Sequence, residues 1–182
     1  MKSAILLLSV LGVALFAGLT PSAAAASDMF LKLGDIKGES TDKDHKDEID
    51  VLAWSWGMSN TVTDVGGGDA GKASVQDFSF TKFVDLSTTD IMLNTLTGEH
   101  IPEVKFVVRK AGGEKIEFLK ITFTDVIVTS VSTGGSGGED RLTENVSMTF
   151  SKVKVEYTKQ NPDGTAGEKK FFTWDIALNK EV

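Results

Sequence analysis

The sequence predicts a single, mainly β domain, a barrel or a sandwich with one helix. Three observations carry this: runs rich in β-branched and aromatic residues, glycine-rich turn signals between them, and only one stretch patterned like a helix. With 182 residues, 41% hydrophobic and 25% charged, the chain is long and apolar enough for a real core, which excludes wholesale disorder. A net charge of −7 argues against a nucleic-acid backbone as partner. The absence of cysteine removes disulfides, thiol catalysis and cysteine zinc sites together.

The first segment, MKSAILLLSVLGVALFAGLTPSAAAAS, has Lys2, an apolar run from Ala4 to Leu19, then Pro21 and small residues to Ala26. This is the order of a secretory signal peptide, with an A-x-A site whose cleavage falls between Ala26 and Ser27. Residues 1–26 are therefore expected to be a leader and 27–182 one domain. Cleavage removes Lys2 and leaves a more acidic mature chain, exported to the periplasm or medium. No second apolar span follows, so no membrane contact is expected after cleavage.

The strand-like runs are Phe30 to Ile36, Ile49 to Trp56, Val75 to Phe83, Val104 to Lys110, Lys115 to Thr129, Val146 to Tyr157 and Lys170 to Leu178. Phe172, Trp174, Ile176 and Leu178 share one face of the last, and Val104, Phe106 and Val108 share one face of theirs. Trp54 and Trp56 stand two apart and point to one face, with the core expected for at least one of them. In Val146 to Tyr157 the apolar set slips from even positions (Val146, Met148, Phe150) to odd ones (Val153, Val155, Tyr157). A straight strand cannot do this, so either a bend near Ser151 restores the face or the two halves bury different faces. The helix is expected where Ser87, Thr88, Thr89 and Asp90 supply capping groups, Ile91, Met92, Leu93 and Leu96 an apolar side, and Gly98 a stop. Turn signals are Gly66-Gly67-Gly68, Gly112-Gly113, Gly134 to Gly138, and Asn161-Pro162-Asp163-Gly164.

Little of the sequence looks like chemistry. Gly66 to Lys72, GGGDAGK, matches the start of a P-loop, but Ala73 stands where a magnesium-binding hydroxyl belongs and a strand follows instead of a helix. Gly134 to Gly138 matches G-x-S-x-G around Ser136, but again a strand follows, and both histidines, His45 and His100, lie upstream. The charged run Glu39, Ser40, Thr41, Asp42, Lys43, Asp44, His45, Lys46, Asp47, Glu48 lacks the ligand order of a calcium loop and the second histidine of a zinc site. It reads as a solvated, protruding loop of mixed charge, whose exposed carboxylates keep ordinary acidity. No metal, cofactor or catalytic residue is expected, and assembly or binding is the function class left.

The stretch FLKLGDIKGESTDKDHKDEIDVLAWSWG resembles the N-terminal signature of the hemolysin-coregulated protein (Hcp) family, the tube subunits of type VI secretion. The resemblance continues through FSFTKFVDLSTTDIMLNTLTGEHIPEVKFVVRK and GSGGEDRLTENVSMTFSKVKVEYTKQ to FFTWDI, in order over nearly all of the mature chain. It implies a small β-barrel of two packed antiparallel sheets with one flanking helix. It further implies a non-enzymatic structural protein, a homo-hexameric ring that stacks into a hollow tube. Such a tube is tipped by a spike protein and carries effector cargo in its lumen. On this resemblance the loop Glu39 to Glu48 contributes to ring stacking. The leader departs from the family, whose tubes assemble in the cytoplasm. Three accounts follow: an exported ring-shaped binding module independent of injection, a machine component with an unusual leader, or a cytoplasmic chain begun at Met29.

Overall fold

The structure, a computed structural model, describes residues 27–61, 72–110 and 115–182. The leader with Ala26, Gly112-Gly113 and all of the P-loop-like stretch except Lys72 lie outside the described residues. The elements run β1 (Ser27–Leu33), β2 (Ile49–Ser55), β3 (Met58–Asn60), β4 (Ala73–Val75), β5 (Phe78–Phe83), α1 (Ser87–Thr97), β6 (Ile101–Lys110), β7 (Glu117–Gly134), β8 (Thr143–Gln160), β9 (Ala166–Asp175) and β10 (Lys180–Glu181). β1, β2, β5, β8, β7 and β6 pair in that order, and the pairing of β7 with β8 against β6–β7 on its other edge closes a barrel. The strand β8 makes the second sheet possible. One edge follows β7 from Thr143 to Tyr157. The other pairs with β5 over Thr143 to Met148 and with β9 over Lys152 to Gln160. The result is a small barrel with an additional sheet and one helix, as expected. β3 and β4 form a separate two-stranded ribbon.

Phenylalanines fill the interior because the strands alternate apolar and polar residues. Phe78 touches Phe80, Phe106 and Phe123, with ring centroids 4.9–6.3 Å apart, and Phe123 meets Phe150 at 4.6 Å. Each fully buried side chain of this size contributes about 1.5–3 kcal/mol. Trp54 packs on Phe78 and Phe106, and Trp56 on Phe123 and Phe150, so both tryptophans, half-buried, pack against the core, Trp54 from β2 and Trp56 from just past its end.

The slip in β8 is a bend, and three strands share it. Buried residues fall at Ile101 and Val104 in β6, Phe123 and Val126 in β7, and Phe150 and Val153 in β8, with two outward residues between each pair. Register aligns them: Ile101, Val126 and Phe150 on one side, Val104, Phe123 and Val153 on the other. Pro102 has no N–H for the ladder, Asp125 has a left-handed backbone (φ 54), and the Ser151 hydroxyl donates to the Thr124 carbonyl at 3.1 Å. Both halves of β8 therefore pack into one core.

Two local expectations are corrected. The helix spans Ser87–Thr97 and ends at left-handed Gly98 as expected. Its first turn, however, is held by Asp85, whose Oδ1 accepts from the Ser87 N–H (2.9 Å) and hydroxyl (2.5 Å). Of its apolar residues Ile91 is buried, while Leu93 and Leu96 face out. β9 ends at Asp175, because the Asp175 carboxylate accepts the Leu178 N–H at 2.9 Å and turns the chain, leaving Leu178 exposed.

Candidate functional site

The charged loop between β1 and β2 is not uniformly solvated, and its carboxylates are not all ordinary. Its sequence alternates residues that tie it down with residues that face out. Ser40 and His45 are buried, Asp42 and Glu48 partly so, and Glu39, Thr41, Lys43, Asp44, Lys46 and Asp47 are exposed. The anchor is Arg109 on β6, buried on the outer wall beside its cross-strand neighbour Asp28. Its guanidinium grips Asp42 with two bonds, Nη1 to Oδ1 at 3.0 Å and Nη2 to Oδ2 at 2.6 Å, and also donates to Asp28 at 3.0 Å. Such forked, charge-assisted pairs fix geometry as well as adding stability. Asp42 also folds its own loop, accepting the Asp44 N–H at 2.9 Å and the His45 N–H at 3.3 Å. Arg109, then the Asp44 N–H and Lys115, hold the Asp42 carboxyl well below the usual range.

His45 is the second anchor. Its ring lies parallel to Phe30 at 4.2 Å, with 8° between planes. Nδ1 is 2.8 Å from Glu48 Oε2 and Nε2 3.2 Å from Glu117 Oε1 on β7. Burial pushes Glu117 up, but Lys120 and His45 outweigh it and hold this carboxyl below its ordinary value. The loop thus covers Phe30 and the charges of β1, β6 and β7, which is why so many carboxylates precede a buried strand.

A second polar cluster, not foreseen from sequence, sits inside the barrel at the start of α1. Lys82 Nζ contacts Glu144 Oε1 at 2.6 Å, Asp85 Oδ1 at 2.7 Å, the Phe83 carbonyl at 2.8 Å and Thr88 Oγ1 at 3.3 Å. Lys82 and Glu144 are fully buried, and Glu144 Oε2 has no hydrogen-bond partner among the described residues. The Leu86 N–H donates to Glu39 Oε1 at 3.2 Å, linking this cluster to the loop. An apolar cleft of about 240 Å³ opens between the β3–β4 ribbon and β9, walled by Trp56, Met58, Val75, Val153, Phe172 and Trp174.

Ser136 lies in the turn between β7 and β8, where its N–H donates to Glu139 at 3.4 Å, while His45 pairs with Glu48 and Glu117 and His100 with Asp125. Among the described residues no three His, Asp or Glu side chains are placed to hold a metal. Ser27, the residue expected after cleavage, is the first of β1 and pairs with Lys110.

Residues 30–157 match the family model described as type VI secretion system effector, Hcp. Protein hcp1 of Pseudomonas aeruginosa PAO1 is 55% identical over 161 residues, 86% of this chain and 99% of that protein. Among solved structures, Hcp1 from Salmonella typhimurium is 40% identical with a TM-score of 0.74, covering 86% of this chain and 99% of that one. A type VI secretion system effector from Yersinia pestis is 38% identical with a TM-score of 0.68, covering 82% and 100%.

Proposed function

The chain belongs to the Hcp family of type VI secretion, and from that premise we propose that it is a structural, non-enzymatic tube subunit. It assembles as a homo-hexameric ring, and rings stack into a hollow tube that meets a spike protein and carries effector cargo. The observation that carries this reading is the match to a relative 55% identical over 161 residues, 86% of this chain and 99% of that protein. A closed barrel suits a ring, because one repeated heterologous contact between neighbours generates a closed assembly. Ring-to-ring contact is assigned to the exposed members of the loop, Glu39, Thr41, Lys43, Asp44, Lys46 and Asp47. Ser40, Asp42, His45 and Glu48 shape it from beneath. Mixed charge on such a surface sets register more than affinity.

A second reading rests on the leader-like N-terminus. An exported ring-shaped module, cleaved between Ala26 and Ser27, would act outside the cytoplasm without the injection machine. One experiment addresses both: native mass spectrometry of the protein from separated cytoplasmic, periplasmic and medium fractions. A hexamer is expected. A monomer at micromolar concentration overturns the ring, and a hexamer beginning at Ser27 in the periplasm favours the exported module.

A further inference from the structure

We propose that His45 is a proton-dependent latch on the loop Glu39 to Glu48, holding it to the barrel wall while the imidazole carries both protons and loosening it when one is lost. This rests on the stacking role proposed for that loop and names its regulation.

The geometry sets the requirement. Both ring nitrogens face carboxylate oxygens, Glu48 at 2.8 Å and Glu117 at 3.2 Å. Ionised carboxylates only accept hydrogen bonds. An imidazolium donates from both nitrogens and satisfies both partners. A neutral ring donates from one and turns a lone pair toward the other, so one of the two contacts must break. His45 cannot evade this by rotating, because its plane is fixed against Phe30 at 4.2 Å and 8°. Its side chain is only 7% exposed, so water offers little replacement.

The surrounding charges are divided. In the loop itself, Asp42 Oδ1 accepts the His45 N–H and Glu48 faces Nδ1. From β7, Glu117 faces Nε2 and is itself paired with Lys120. From β6, the Arg109 guanidinium lies 4.9 Å from the centroid of the Phe30 ring on which His45 stacks, and from just before β7 Lys115 reaches Asp42. Arg109 and Asp42 keep their charges across neutral pH, with Arg109 raised and Asp42 lowered from ordinary values. They form the hinge side of the loop. His45 is the side that can open, since a ring that has lost one proton can donate to only one of the two carboxylates facing it. The two contacts differ in reach. Glu48 is three residues away in the same loop, while Glu117 belongs to the wall. Losing the Glu117 contact loosens the His45 side of the loop without unfolding it, and moves Lys43, Lys46 and Asp47 with it, while Arg109 still holds Asp42 and Asp44.

Hydrogen exchange of the full chain at pH 5.5 and pH 8.5, corrected for intrinsic exchange, reads the latch at peptides spanning residues 39–48. Protection is expected to fall about tenfold at the higher pH, the scale of one charge-assisted bond. Two variants should flatten it. His45→Gln carries no titrating ring, and the Glu117→Gln side chain can donate to an unprotonated nitrogen. Both keep Asp42–Arg109, and circular dichroism verifies their fold. Equal protection at both pH values in the unaltered protein overturns the proposal, as does an undiminished pH dependence in His45→Gln. Sedimentation of the same samples separates the ring reading from the latch. A chain that shows the protection change but sediments as a monomer supports the latch and overturns the ring.

Discussion

Replacing Lys82 by methionine should be among the most damaging single changes in this barrel. Lys82 Nζ contacts two carboxylates, a carbonyl and a hydroxyl, and is inaccessible to solvent. Methionine fills much of the space but leaves the carboxylates behind. Asp85 keeps the Ser87 N–H and hydroxyl, so its loss is moderate. Among the described residues, Glu144 keeps only the Thr88 hydroxyl at 2.9 Å on Oε1, and Oε2 is already without a partner. The cost is therefore that of a broken buried pair, about 3–5 kcal/mol, most of it lodged on Glu144. Against a typical stability of about 5–15 kcal/mol this is a large fraction. With a urea slope of about 1–3 kcal/mol per molar, the midpoint should drop by roughly 2 M. The double variant Lys82→Met with Glu144→Leu removes the stranded charge and should recover most of the loss, a coupling readable in a double-mutant cycle. Urea unfolding of the four proteins at one fixed concentration supplies the numbers, since assembly would otherwise shift apparent stability. A loss under about 1 kcal/mol for Lys82→Met, or a double variant no better than the sum of the singles, would refute the reasoning.

Two further outcomes follow from the loop and the bend. The Asp42 carboxyl is depressed, so its stabilisation is present above the ordinary aspartate value, about 3.9, and disappears as pH falls through the lower folded value. Asp42→Asn should therefore lower the urea midpoint equally at pH 7 and pH 5, with the gap closing only in strong acid. A gap already gone at pH 5 would contradict the Arg109 pairing. At the bend, Asp125→Val places a β-branched residue at φ 54 and should cost about 1–3 kcal/mol in thermal unfolding. Asp125→Gly should stay within about 1 kcal/mol, because an exposed pair such as His100–Asp125 contributes little. Equal melting of the two variants would count against a left-handed requirement there.

Much of the barrel was legible because alternation is a local signal. The phase slip in Val146 to Tyr157 was visible as a change of parity, and the structure resolved it as a bend, but its extension across β6 and β7 depended on register between strands. The buried ion cluster did leave a trace. Lys82 has the parity of Phe78 and Phe80, and Glu144 the parity of Val146 and Met148, so two opposite charges lie in phase with core residues. The anchoring of the loop left none, because Asp42 meets Arg109 across 67 positions and His45 meets Glu117 across 72. The helix misled for another reason: its apolar residues spread around the axis, and only Ile91 points at the barrel.

The shared bend also constrains how such a chain can change in length. Pro102, Asp125 and Ser151 sit at one level of three paired strands, and deleting Asp125 or Ser151, each midway along its strand, moves half a strand by one position relative to its neighbours. Every side chain beyond the deletion would then exchange inside for outside. Insertions and deletions are tolerable where no partner keeps count, in the turn between β7 and β8 and at Asn161 to Gly164. Variation in size is thereby steered to the ends of the molecule, and the middle of the barrel behaves as a ruler of fixed length.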